Sequence, residues 1–214
     1  MDAGILPVKR IDQAKGRLSS HFDDEQRALI AGALVADAIE LCAGTEFLRW
    51  WVVSDDREVL RSAESRGLGT VDDPGEGLNV AVEAAIAVAL KEGADSVTVI
   101  PSDVPLAFRG DLVDLLDTGA TSDVVLVPSE RDGGTNGLFM APPDLLQPNF
   151  GPGSLQKHLQ TAERASLRCA LLSLPRLSLD LDTVEDIRAY LAKPKHAETN
   201  TSRVLQELAA LVTE

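Results

Sequence analysis

The chain has 214 residues, 44% hydrophobic and 25% charged, with a formal net charge of −14. That length suits one compact domain that can bury a core without disulfides or a structural metal. So acidic a chain lacks the basic stripe with which a general nucleic-acid binder releases counterions, and no apolar run nears the ~20 residues of a membrane span.

Strand and helix alternate along most of the chain. Residues 3–8 read as a short apolar strand leading into a charged loop over 9–20. The opening MDAGILPVKR has no basic region followed by an apolar one, so no secretory signal is expected. Asp23 and Asp24 open a helix running to about 42, with acids where the helix dipole favours them. Leu29, Ile30, Ala33, Leu34 and Ala38 give that helix one apolar face at 3.6-residue spacing. A strand over 47–54, a helix over 56–66 stopped by Gly67 and a strand near 68–71 follow, then the turn-rich DDPGEG. Trp50 and Trp51, adjacent in the second strand, fall on opposite faces as packing residues. A helix over 78–92 ends at Gly93, and 96–101 is a continuous apolar strand of the kind covered on both faces. Next come a helix over 110–117 and a strand over 123–128. DGGTNG marks a turn between two strands. FGPGS opens a helix over 154–165, a strand covers 168–174, and LSLDLD precedes a helix over 184–193. Residues 1–193 form the domain. Residues 194–214 form a tail whose amphipathic stretch, 202–212, is free to pack on that domain or on a second subunit. Cys42 and Cys169 lie in apolar contexts and are expected as buried, reduced thiols of a cytoplasmic protein.

Alternating β and α elements imply an α/β fold with a mostly parallel sheet and helices on both faces. Ligands in such sheets gather at the carboxyl ends of the strands, near the switch in strand order. The residues just after strands are therefore the site candidates.

PVKRIDQAKGRL puts Lys9, Arg10, Lys15 and Arg17 directly after the first strand of an otherwise acidic chain. Several cations aimed at one point suit a triphosphate, although charge alone is equally that of a solvated loop. The loop is no Walker motif, because GxxxxGK[ST] is absent. Asp103 in VIPSDVPL stands two residues past a buried strand, where a carboxylate can hold a metal or cap a turn. In SLDLDT, extended geometry would put Asp180 and Asp182 on one face about 7 Å apart. Asp182 or Thr183 could equally cap the next helix. EGLN, with Glu76, Gly77 and Asn79, opens a helix with backbone N–H groups and an amide able to read a purine edge or a ribose. FGPGS places Gly151 and Ser154 at another helix start, with Thr135 and Asn136 upstream and Lys157 three residues on. That is an anion site or plain capping. The three histidines, His21, His158 and His196, lack metal-ligand spacing and are expected to be exposed. No GxSxG is present, so hydrolase chemistry has no support.

In their order, PVKxxxxAKxRL, EGLN, IPSDVPL, GTN, FGPGS and DLDT resemble the 2-phospholactate guanylyltransferase family, which acts in making the deazaflavin coenzyme F-420. The resemblance spans about residues 5–187. It implies a Rossmann-like, GT-A-like nucleotidyltransferase that takes GTP and a small phosphorylated carboxylic acid: 2-phospholactate, phosphoenolpyruvate or 3-phosphoglycerate. Lys9, Lys15 and Arg17 fall on the family's nucleotide-phosphate loop, with Asp103 among the catalytic positions. Asp103, Asp180 and Asp182 fall on its metal positions, for Mg²⁺ or Mn²⁺. Thr135, Gly151 and Ser154, with Asn136 beside them, match positions around the acceptor. Glu76, Gly77 and Asn79 match the segment near the guanine nucleoside. The resemblance also admits a homodimer. Molybdenum-cofactor and sugar-phosphate nucleotidyltransferases usually open with LAGGxGxRM, where this chain has ILPVKRIDQAKGRL. A non-catalytic nucleotide-binding module would be expected to have lost the aspartates, which are all present.

Overall fold

The structure is a computed structural model and describes residues 1–11, 15–131, 133–193 and 198–212. Asp12, Gln13 and Ala14 of the basic loop, Asp132 of DGGTNG, residues 194–197 with His196, and the last two residues lie outside the described residues.

Seven strands form one sheet: β1 Asp2–Pro7, β2 Arg49–Ser54, β3 Gly69–Asp72, β4 Ser96–Val99, β5 Val124–Pro128, β6 Thr135–Met140 and β7 Cys169–Leu171. Their order is β3-β2-β1-β4-β6-β5-β7. All neighbours pair in parallel except β6, which runs antiparallel to both β4 and β5. Its reversal brings the start of β6, Thr135 and Asn136, to the edge where the other strands end. The switch in strand order falls between β1 and β4, the place where open sheets of this kind bind ligands.

The helices are α1 Asp24–Ala43, α2 Arg57–Ser65, α3 Leu78–Lys91, α4 Arg109–Gly119, α5 Ser154–Arg164, α6 Val184–Ala192 and α7 Asn200–Glu207. Strand alternation divides the core. Leu6, Trp50, Val52, Val125 and Phe139 face α1, α2 and α4, while Ile5, Trp51, Val53, Val97 and Met140 face α3 and α5. Each such aliphatic side chain taken from water stabilises the fold by about 1.5–3 kcal/mol. Trp50 and Trp51 pack on opposite faces, as expected. Trp50 lies over Gly4, where an added Cβ would come within 2.4 Å of the indole, so only glycine fits. Its ring N–H donates to the buried Thr45 hydroxyl at 2.8 Å.

Two expected strands are shorter in the structure. β4 stops at Val99, short of residue 101, because Ile100 makes the last ladder bond to Ile5 and Pro101 has no N–H to give. β7 keeps three residues of the expected 168–174 and lies at the edge, with Leu171 exposed. Cys42 is buried, and burial raises its thiol pKa well above the ordinary value. Cys169 is only half-buried, a correction to the expectation, since it sits on that edge strand.

The tail returns to its own domain. Asp37 on α1 accepts from the Asn200 and Thr201 backbone N–H groups, each at 2.9 Å, placing an acid at the start of α7. Leu205 and Val212 then join Leu18, Phe22, Ile30, Leu34, Leu181, Val184 and Ile187 in a third cluster. This cluster lies under two chain segments that carry candidate residues, the Gly16–Leu18 turn and the Asp180–Asp182 stretch.

Candidate functional site

The loops after β1 and β4 meet above the sheet. Lys9, Lys15, Arg17, Ser102, Asp103 and Asp182 line a cavity of about 370 Å³ floored by Leu34, Val35 and Leu78. Lys15 precedes the 3-10 turn Gly16–Leu18 with a left-handed backbone (φ 59°). That conformation is uncommon for a residue with a Cβ. The side chain is 7% exposed, and its ammonium reaches Asp103 Oδ2 at 2.8 Å and Asp182 Oδ1 at 2.9 Å. Arg17, largely in solvent, adds a contact to Asp182 Oδ2 at 3.4 Å. Two carboxylates from distant stretches of chain thus converge on one cation. The backbone joins them too, since Leu181 N–H donates to Asp103 O at 2.9 Å.

Burial works to lower the Lys15 pKa, but the charges and hydrogen bonds of Asp103 and Asp182 outweigh it and hold it above the ordinary value. Burial likewise opposes the Asp182 charge, yet Lys15, Arg17 and Lys9 keep its pKa below the usual carboxylate range. Asp180 differs. Burial and the nearby Asp103 charge raise its pKa despite hydrogen bonds from Asn136 Nδ2 at 3.0 Å and Ser129 Oγ at 3.1 Å.

Asp103 and Asp182 share Lys15, whereas Asp180 turns to Asn136 and Ser129. Among the described residues no group of three or more His, Cys, Asp or Glu side chains is set to hold a metal ion. Two hard carboxylates already gathered on one cation still match the donor set of Mg²⁺, which takes one or two carboxylates and fills its other positions with water and phosphate oxygens.

A second cavity, about 240 Å³, lies on the other side of Lys9 and is lined by Arg10, Asp55, Asp73, Gly75 and Gly77. Gly77 precedes α3 with φ 101°, open to glycine alone without strain, and Glu76 is exposed beside it. Asn79 is not free to read a base. Its Oδ1 accepts from Phe150 N–H at 2.6 Å and its Nδ2 donates to Phe150 O at 3.3 Å, which ties the FGPGS loop to α3.

At that loop, Gly151 (φ 123°) and Gly153 (φ 67°) shape the turn, and Gly153 precedes α5 without a side-chain cap. Ser154 is the first helical residue and is fully buried. It therefore does not cap the helix, and its hydroxyl meets Thr135 Oγ1 at 3.2 Å. Lys157 reaches back to Asn149 Oδ1 at 3.3 Å.

His158 corrects the expectation of exposed histidines. It is 1% exposed, between Thr135 Oγ1 and the Asn149 backbone. Burial lowers its pKa to about 4, with the Lys157 charge contributing in the same direction. Its signal was the four-residue spacing of Ser154, His158 and Ala162, the buried stripe of α5. Asp186 was also missed. It is buried, accepts from the backbone N–H groups of Asp182 at 3.0 Å and Thr183 at 2.7 Å, and pairs with Arg131. Thr183 and Asp186 form the capping box of α6. Thr183 thus takes the capping role and leaves Asp182 for Lys15.

Residues 2–212 match the family described as guanylyl transferase CofC like. A phosphoenolpyruvate guanylyltransferase of Conexibacter woesei is 35% identical over 211 residues, covering 95% of each chain. A 2-phospho-L-lactate guanylyltransferase of Methanothermobacter thermautotrophicus is also 35% identical, over 184 residues, covering 86% of this chain and 81% of that one. Among solved structures, one described as a nucleotide-diphospho-sugar transferase from Desulfovibrio desulfuricans superimposes with a TM-score of 0.82 at 19% identity, covering 99% of this chain and 96% of that one. At that identity the likeness speaks for the fold: a Rossmann-like sheet of the nucleotidyltransferase type.

Proposed function

Because the chain belongs to the guanylyl transferase CofC-like family, we propose that it moves GMP from GTP onto the phosphate of a small phosphorylated carboxylic acid and releases pyrophosphate. The observation that carries this reading is the Lys15 ammonium held between Asp103 and Asp182 at the β1/β4 switch. An acceptor phosphate oxygen attacks the α-phosphorus of GTP; that P–O bond forms as the bond to the leaving pyrophosphate breaks. A phosphate monoester has its second pKa at about 6, so the attacking oxygen is already ionised at neutral pH and needs no general base. The problem left to the protein is to hold two anions in line. Lys9, Lys15 and Arg17 draw in the phosphates of GTP, and the Gly75–Gly77 turn with Glu76 borders the nucleoside. Thr135 and the Gly151–Gly153 turn receive the acceptor, with Ser154 and Asn136 behind them. Asp103 and Asp182, with Asp180 alongside, would hold Mg²⁺ or Mn²⁺, which supplies neutralisation of phosphate charge.

The relatives act by name on phosphoenolpyruvate and on 2-phospho-L-lactate at equal identity, so the acceptor is decided by assay. The product would feed synthesis of the deazaflavin coenzyme F-420 in the cytoplasm, a placement supported by the family and by two free thiols. No helix among the described residues is long and apolar enough to cross a membrane. The test is pyrophosphate release by the purified protein with Mg²⁺, each of GTP, ATP, CTP and UTP, and each of phosphoenolpyruvate, 2-phospholactate and 3-phosphoglycerate. Release with GTP and at least one acid is expected. No release in any combination, or a clear preference for another nucleotide, defeats the reading.

A further inference from the structure

The polar side chains buried along α5 form a hydrogen-bond chain whose direction can be deduced. Asn149 N–H donates to His158 Nε2 at 3.0 Å. A neutral imidazole that accepts on Nε2 carries its proton on Nδ1. Nδ1 stands 3.0 Å from Thr135 Oγ1, so the ring donates and Thr135 accepts. The Ser154 hydroxyl has no exposed surface, and its one described side-chain contact is Thr135 Oγ1. A buried hydroxyl places its hydrogen where an acceptor exists, so Ser154 donates to Thr135 as well. With both of these neighbours donating, the Thr135 oxygen accepts twice and its own hydrogen points away from them.

The frame around this chain is tight. Phe150 packs edge-on against the His158 ring, centroids 5.4 Å apart, and both backbone polar groups of Phe150 are held by Asn79. The imidazole can neither flip nor exchange its protonated nitrogen without breaking the bond from Asn149.

We propose that His158 is a positioning residue for the acceptor: its fixed tautomer makes the Thr135 hydroxyl a donor-only contact for the acceptor's anionic group. This rests on the acceptor lying at Thr135, as in the function proposed above. Ionised phosphate and carboxylate oxygens offer lone pairs and no hydrogen. A hydroxyl that can only donate matches them, and it mismatches a ligand that would itself donate at that point.

Four measurements test this. In His158→Leu, which keeps bulk but no polar atom, the acceptor KM should rise roughly tenfold while the GTP KM stays level. His158→Asn returns an amide N–H near the Nδ1 position and should recover most of that loss. In a Thr135→Val background, His158→Leu should add nothing further to the acceptor KM. Equal rises in both KM values, or additive effects of the two substitutions, overturn the proposal and leave a packing role. Should the leucine variant fail to fold, His158→Gln, whose amide reaches the Nε2 position and not Nδ1, gives the same comparison alone and together with Thr135→Val. Imidazole ¹⁵N spectra of the free wild-type protein at neutral pH read the tautomer without any substrate. Protonated Nδ1 is expected, and protonated Nε2 sinks the positioning role whatever reaction the protein runs. A wild-type protein that releases no pyrophosphate with any acceptor defeats the functional reading, and the proposed role of His158 falls with it.

Discussion

A lysine ammonium almost sealed from solvent stays charged only where opposite charges repay its lost hydration, and Lys15 has two such partners. Their loss has different consequences on each side. Asp103→Ala leaves Lys15 paired with Asp182, so the fold should persist while turnover falls on the order of 10²–10³-fold, the usual cost of removing one preorganised charge contact. Pyrophosphate release beside a thermal melt checks this; near-normal turnover with Mg²⁺ would take Asp103 out of the chemistry. Lys15→Met instead leaves Asp103 and Asp182 facing each other with no buried cation between them. Such a change should cost about 1–3 kcal/mol, because both carboxylates keep partial access to water. If a divalent cation can take the place of the ammonium, Mg²⁺ should raise the melting temperature of Lys15→Met by several degrees more than that of the wild type. Equal shifts would mean that the two carboxylates do not share a metal.

At the scale of elements, what could be read in the chain followed from position relative to strands. Lys15 and Asp103 lie in the loops that follow β1 and β4, and the carboxyl ends of parallel strands share one edge of the sheet, so their nearness was legible from position. Asp182, just ahead of α6, was tied to them only by the family resemblance, since its place suits a helix cap equally well. The role of Asn79 was not legible, because its amide is equally suited to a base edge or a loop backbone, and only the approach of Phe150 decides between them. The role of His158 was legible only in part: its four-residue spacing from Ser154 and Ala162 marks the buried stripe of α5, but its side-chain partner, Thr135, comes from β6. Its burial carries a stability consequence for α5. The native pKa of about 4 lies below the ordinary 6.5, so the unfolded chain takes up a proton first as the solution is acidified. Stability from this residue is complete above pH 6.5 and is lost as pH falls from there toward 4, by about 3 kcal/mol in all. Urea midpoints of wild type and His158→Asn, compared at steps between pH 7.5 and 4, should converge as pH falls. Parallel curves would show that the histidine protonates alike in folded and unfolded chains.

Over the whole molecule, charge works on two length scales. The net charge of −14 repels GTP and the phospho-acid at long range. Lys9, Arg10, Lys15 and Arg17 answer the aspartates only within the site itself. Salt acts unequally on the two, because at ~0.15 M ionic strength the Debye length is about 8 Å. Charges spread over the surface are then largely screened from an approaching anion, whereas a phosphate seated in a partly enclosed cavity contacts its cations with little electrolyte between. Raising KCl from about 10 mM toward 150 mM at saturating Mg²⁺ should therefore increase kcat/KM for GTP, by a few-fold, before ion competition reverses the trend. The opposite behaviour, a steady decline from the lowest salt, would mean that the basic loop, and not the acidic surface, dominates the field that an incoming nucleotide meets. The distinction is physical: with a fall, capture is by long-range attraction; with a rise, the anion reaches the site against the field and is held there by the short-range contacts that Lys15 and its neighbours provide.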